Sequence, residues 1–179
     1  MGGIGTYTYN MSHVMAELGN DVHVVTLATK SEHDYCDGKV VVHRLQKKYL
    51  PVPLIQDPLS CFVRSLKVCR CLSRFYSSFD IIEAPEWRAE GIVSCLFSKT
   101  PIVTRLHTPF FWVNHLSSKQ VTPADRIVDF LEKTQTILSN GITSPTRALR
   151  KVVSDTWNID ASRIMIIPNG LDIERILLY

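Results

Sequence analysis

The spacing of apolar positions changes several times along the chain, and each change marks an element. After Gly2-Gly3-Ile4-Gly5, the residues Tyr7, Met11, Val14, Met15 and Leu18 recur at helical spacing, and Gly19-Asn20 ends that helix. Val22, Val24, Val25 and Leu27 predict a buried strand, and Val40 to Val42 with Leu45 predict another after a polar loop over residues 29–38. Residues 47–58 contain Pro51, Pro53 and Pro58 and predict an irregular connection. Residues 59–76 return to helical spacing, with Phe62, Leu66, Cys69 and Tyr76 along one face. From there the pattern alternates: strand at 80–84, helix at 87–97, strand at 101–106, helix at 123–138, strand at 141–144, helix at 145–157 and strand at 163–167.

Short β-branched strands separated by helices predict an α/β fold, with a doubly wound, mostly parallel sheet covered on both faces. Ligands of such sheets sit at the carboxyl ends of the strands. The conspicuous residues lie just past those ends: Glu83 to Glu86, His107 with Thr108, Ser144 to Thr146, and Asn169-Gly170. A glycine loop that opens a helix in such a fold follows a central strand, but here the sequence begins at the loop. A first strand is therefore expected to be missing, and the chain reads as truncated or started late. Loss of a central strand exposes ladder groups that need partners, so the chain alone is expected to be poorly stable.

Composition narrows the function. With 179 residues and 45% apolar content the chain can bury one sizeable core, and it reads as a single domain over 1–179. A net charge of +3 falls far short of what nucleic-acid binders use to displace counterions. Cys36, Cys61, Cys69, Cys71 and Cys95 are odd in number and follow no basic-then-apolar leader, which points to reduced thiols in a cytoplasmic protein. No apolar run approaches the roughly 20 residues of a membrane helix. Any membrane contact is then peripheral, for which Arg64, Lys67, Arg70 and Arg74, beside Tyr, Phe and Leu residues, are candidates at the inner face.

Several motifs carry candidate chemistry. Gly2, Gly3 and Gly5 leave no Cβ between backbone and ligand, and the helix behind them offers unpaired N–H groups to a phosphate or diphosphate. Thr8 stands where a dinucleotide fingerprint needs its third glycine, which argues against nicotinamide and flavin enzymes, and no GxxxxGK[ST] exists, which excludes Walker-type hydrolases. His107 follows a strand and precedes Thr108-Pro109, which holds its imidazole at the strand mouth to donate to a sugar hydroxyl or a developing charge. Glu83, Glu86 and Glu90 suit a helix start, and Glu86 is also a candidate contact to an acceptor hydroxyl. His13, His23, His33, His43 and His115 have no spacing that suggests a metal or a triad, and Cys69-x-Cys71 lacks a second pair. Asp-x-Asp appears nowhere, so no metal site and no cofactor are expected.

Taken in order, GGIGTYTYNMSHVMAELGNDVHVVT, IIEAPEWRAEG, VTRLHTP, GITSPTRALRKVV and IIPNGLDIER resemble the N-terminal half of a retaining glycosyltransferase of family four, the glycogen-synthase-like group. The resemblance covers essentially the whole chain. It implies one Rossmann-like half of a GT-B fold, with residues 168–179 starting an interdomain linker. By the resemblance, Gly2, Gly3 and Gly5 lie near the donor diphosphate, and His107 sits against the transferred sugar. Glu86, Thr108, Thr146, Arg147 and Arg150 are candidates for the acceptor, and Asn169, Gly170 and Asp172 form the turn into the linker. The implied reaction moves a hexose from a nucleoside-diphosphate sugar to the hydroxyl of a glycan, lipid-linked or small-molecule acceptor, with retention and without a divalent metal. A C-terminal domain with an E-x₇-E pair is absent from the sequence, so the isolated chain is expected to be inactive or nearly so. Two other readings stay open: a non-catalytic module that binds a glycan or a partner subunit, and a sugar-nucleotide epimerase on the same architecture.

Overall fold

A computed structural model describes residues 2–28, 32–46, 56–75, 78–118 and 120–170. They fall into two compact units, Met1–Gln46 with Pro168–Tyr179, and Lys47–Ile167.

In the first unit, helix α1 (Gly3–Glu17) starts with Gly2 as its extended N-cap. It ends at Gly19, whose φ of +91° is the left-handed turn that glycine adopts without strain. Strands β1 (Val22–Ala28), β2 (His33–Asp37) and β3 (Val40–Gln46) form a sheet in the order β1-β3-β2, with β1 and β3 parallel and β2 antiparallel to β3. Ala16 packs on Val40 and Val42, flanked by Val22 and Val24. The polar loop expected at residues 29–38 is thus corrected in its second half. Asp37 pairs with Val40 across Gly38-Lys39, and Gly38 takes the φ of +60° that so tight a hairpin turn demands. His33 to Cys36 are exposed, so β2 has no apolar alternation by which to be recognised. Facing strands also bring His23 within 2.9 Å of His43, ring nitrogen to ring nitrogen, with Asp21 and Asp34 at 3.5 and 3.1 Å from their outer nitrogens.

The second unit carries β4 (Ile82–Pro85), β5 (Ile102–Arg105), β6 (Gly141–Ser144) and β7 (Ile164–Ile166), paired in that order and all parallel. Its helices are α2 (Gln56–Leu72), α3 (Ile92–Phe97), α4 (Phe110–Leu116), α5 (Pro123–Leu138) and α6 (Arg147–Trp157). Among the described residues the strands form two sheets, and the parallel sheet with helices expected of the α/β fold is the four-stranded one of this unit. α5 and β6 match their sequence boundaries. Thr122 and Asp125 close a reciprocal capping box around Pro123, which explains why the start of α5 is so clearly marked. α4 was not anticipated, and the helix expected at 87–97 is broken. A 3₁₀ turn at Trp87–Ala89 holds Arg88 and Ala89 at φ of 56° and 49° before α3 begins.

Trp157, Val153, Leu106, Ile142, Ile159 and Ile164 form one buried cluster, and Cys69 packs with Ala89, Ile92 and Val93 in another. The five cysteines form no disulfide. Among the described residues no helix is long and apolar enough to cross a membrane.

Gly91 marks a close approach between layers. A Cβ there would stand 2.8 Å from the Ala84 Cβ and 3.3 Å from the Gln135 amide, and the Gly91 N–H donates to Gln135 Oε1 at 2.8 Å. Gly91→Ala is expected to destabilise the unit by about 1–3 kcal/mol through overpacking, read as a lowered midpoint in urea unfolding with the slope unchanged.

Candidate functional site

At the carboxyl end of β5, Arg105 and Leu106 are buried, and the Leu106 N–H reaches Thr143 O at 2.8 Å to prolong the ladder by one bond. The chain then leaves the sheet. His107 donates its backbone N–H to both carboxylate oxygens of Glu86, at 2.8 and 2.9 Å, and Pro109 caps α4. At the end of β6, Ser144 Oγ donates to Thr146 O, and Thr146 Oγ1 accepts the Leu149 N–H to cap α6. The two connections bound an open depression of about 350 Å³. His107, Thr108 and Thr146 form its polar side, while Trp112 and Leu116 of α4 face Leu149 and Val152 of α6. Trp112 stacks on His115 with centroids 5.1 Å apart, which steadies its ring.

The electrostatics under this depression depart from those of free side chains. Burial, and secondarily the Arg105 charge, pulls His107 down to about 4, so its imidazole is neutral at pH 7 and offers one N–H donor and one acceptor nitrogen. Burial pushes Glu86 up to about 7, against the opposing pull of the His107 N–H. It pushes Glu132 on α5 up to about 8, against N–H bonds from Phe110 and Arg88 and with the Glu86 charge adding to the rise.

Of the residues singled out in the sequence, His107, Thr108 and Thr146 come together in the depression. Glu86 has no exposed surface, so it meets no acceptor hydroxyl in this conformation; its carboxylate holds the His107 backbone. Arg147 and Arg150 occupy the first turn of α6, exposed and half-buried, and do not line the depression. Gly2, Gly3 and Gly5 belong to the first unit, where Gly2 caps α1 and the other two form its first turn, which contains no acidic residue. A Cβ on Gly2 or Gly3 would meet nothing within 4 Å, so the chain's own packing does not require glycine there. Asn169 and Gly170 are exposed coil, and Asp172 lies outside the described residues. Among the described residues no group of three or more His, Cys, Asp or Glu could hold a metal ion.

Sequence reasoning missed Trp112 and Leu116, although their i,i+4 spacing after Pro109 is a usable helix signal. It also missed Glu132, which lies on the buried stripe of α5 with Val128 and Gln135. Nothing in its residue type sets it apart from the neighbouring Asp129.

The family model described as Glycosyltransferase Family 4 matches residues 1–175. A solved sucrose-phosphate synthase structure from Thermosynechococcus elongatus superposes with a TM-score of 0.66 over 97% of this chain and 89% of that chain, at 14% identity. That likeness concerns the fold. No curated protein sequence matches the chain.

The two raised carboxyl values give a signed pH dependence. Their folded values lie above the ordinary 4.5, so the folded state keeps protons that the unfolded chain has released. That contribution is complete below about pH 4.5 and is lost as pH rises through 7 and then 8. Unfolding free energy is expected to fall by about 2–3 kcal/mol between about pH 6.5 and 8, measured by urea titration at each pH, and Glu132→Gln is expected to flatten the decline.

Proposed function

The chain belongs to glycosyltransferase family 4, and on that premise we propose that it forms the acceptor-side half of a retaining enzyme that moves a hexose from a nucleoside-diphosphate sugar to an acceptor hydroxyl. The observation that carries this reading is the depression holding His107, Thr108 and Thr146 at the carboxyl ends of adjacent parallel strands, where sheets of this kind bind ligands.

In this reading the neutral His107 imidazole donates a hydrogen bond to a hydroxyl of the transferred sugar and orients its dipole toward the charge that develops as the glycosidic bond breaks. Trp112 and Leu116 give the apolar C–H surface of a sugar ring a wall to lie on. Thr146 already accepts the Leu149 N–H, which leaves its hydroxyl hydrogen to donate to an acceptor, as Thr108 also does. Arg147 and Arg150 suit a polar or phosphorylated extension of that acceptor. Glu86 acts through the His107 backbone. The N-terminus of α1 behind Gly2, Gly3 and Gly5 suits the donor diphosphate.

The reaction is read as independent of a divalent metal or a resident cofactor, with the leaving diphosphate stabilised mainly by a second domain. Residues 1–179 alone are then inactive or nearly so. The working compartment is the cytoplasm, where exposed Phe62, Leu66 and Arg70 on α2 suit contact with an anionic membrane surface.

The test uses the full-length protein with a panel of nucleoside-diphosphate hexoses, following release of the diphosphate and the anomeric configuration of the product by NMR. Turnover with retention is expected, and His107→Ala is expected to lower kcat by about 10²–10³ while donor affinity changes only a few-fold. Glycan binding with no turnover of any donor would establish the non-catalytic module instead.

A further inference from the structure

Two chain segments meet beside the depression, and besides the ring contacts of Trp87 and Arg88 with Phe110, carboxyl groups fasten them at two places. At one place Glu86 accepts the His107 N–H. At the other, Glu132 accepts two N–H groups, that of Arg88 on Oε1 and that of Phe110 on Oε2, both at 2.8 Å. Residues 86 to 88 and 107 to 110 are thus joined at both ends. Without the Glu132 bonds the second segment would keep the Glu86 attachment and the packing of Phe110 but lose the backbone bond that sets its direction.

We propose that Glu132, although it does not line the depression, is a positioning residue for His107, its two carboxyl oxygens locking the 107–110 segment to the turn at Arg88. The inference rests on the reading of the depression as the sugar site and deepens it by naming the group that sets the imidazole's direction.

The chemistry of the fork explains why a carboxyl group stands there, since both of its oxygens keep acceptor capacity whether it is ionised or protonated, whereas an amide nitrogen has none. Both donors are backbone N–H groups, so the side chain must present two acceptor oxygens about one carboxylate apart. Glutamine keeps the shape but replaces one oxygen with an NH₂ group, which sets donor against donor. Aspartate is one methylene too short to keep both bonds. Gln135, one turn further along α5, makes a complementary bridge: its Oε1 accepts the Gly91 N–H and its Nε2 donates to Pro85 O, both at 2.8 Å. A single helix face therefore fastens the turn at three backbone points, and Glu132 extends that hydrogen-bonded hold to the His107 segment, where Val128 and Leu131 of the same helix also pack on Phe110. The left-handed Arg88 and Ala89 lie within the turn so held, a conformation that persists only where the surroundings over-determine it.

The test compares wild-type and Glu132→Gln full-length protein. The variant is expected to unfold cooperatively, to keep its KM for the donor within about threefold and to lose tenfold or more in kcat. NMR of the histidine side chains is expected to show the His107 midpoint moving up from about 4 toward the ordinary 6.5 as the segment loosens and water enters. A folded Glu132→Gln protein with unchanged kcat and an unchanged His107 midpoint would overturn the proposal. Should the variant not fold, amide hydrogen exchange of the wild type decides. Slow exchange at both Arg88 and Phe110 supports the double attachment, and exchange of either at the rate of an open loop overturns it. If the wild type turns over no donor, the functional reading fails by itself, while the His107 midpoint in the variant still decides whether Glu132 positions the imidazole.

Discussion

Where a parallel sheet ends, backbone N–H groups leave the ladder and lose their partners, and when the connections that carry them are buried each needs another acceptor. In the second unit that need is met by side chains. Glu86 and Glu132 supply carboxylate oxygens to His107, Arg88 and Phe110, and Gln135 supplies an amide oxygen to Gly91. Both carboxyl groups are fully buried, so their desolvation opposes ionisation even while the N–H bonds favour it. The balance leaves them titrating near neutrality, so a fully buried part of the unit responds to pH.

The same arrangement makes a strained turn tolerable. Arg88 and Ala89 both occupy the left-handed region, which costs on the order of 1–3 kcal/mol for each non-glycine residue. Against this stand the Arg88 N–H bond to Glu132 and the Arg88 guanidinium lying 4.5 Å over the Phe110 ring. Ala89 is wholly buried, and a larger side chain would not fit there. The turn is therefore held from below by α5 and from the side by α4, and the short α4 gains a fixed starting point from the same residue, Glu132.

Much of this architecture could be read from the sequence because its strongest signals are local. The Thr122-Pro123-Asp125 start of α5 and the short apolar run at Gly141–Ser144 are written in adjacent residues, and both elements appear where expected. His107, Thr108 and Thr146 were legible as strand-end residues. The rest depended on contacts between distant residues. Glu86 at a helix start looks the same whether it faces solvent or reaches 21 residues along the chain to His107, and Glu132 reaches 44 residues back to Arg88. β2 carries no apolar alternation, so only the Asp37-Gly38 pair hinted at a hairpin. The broken helix at Trp87 to Ala89 runs against the local preference of its residues, as is common where packing decides the backbone of a strained turn.

β2 also bears on how the first unit behaves among other molecules. An end strand with free backbone groups invites a foreign strand to join it, and many proteins cover such an edge. Among the described residues no strand pairs with the outer side of β2, and its side chains discourage a guest. Asp34 and Asp37 keep 59% and 45% of their side-chain surface in solvent, and a strand added alongside would have to strip water from both carboxylates. The exposed polar sequence that hid β2 from pattern reading is thus also one that disfavours an added strand.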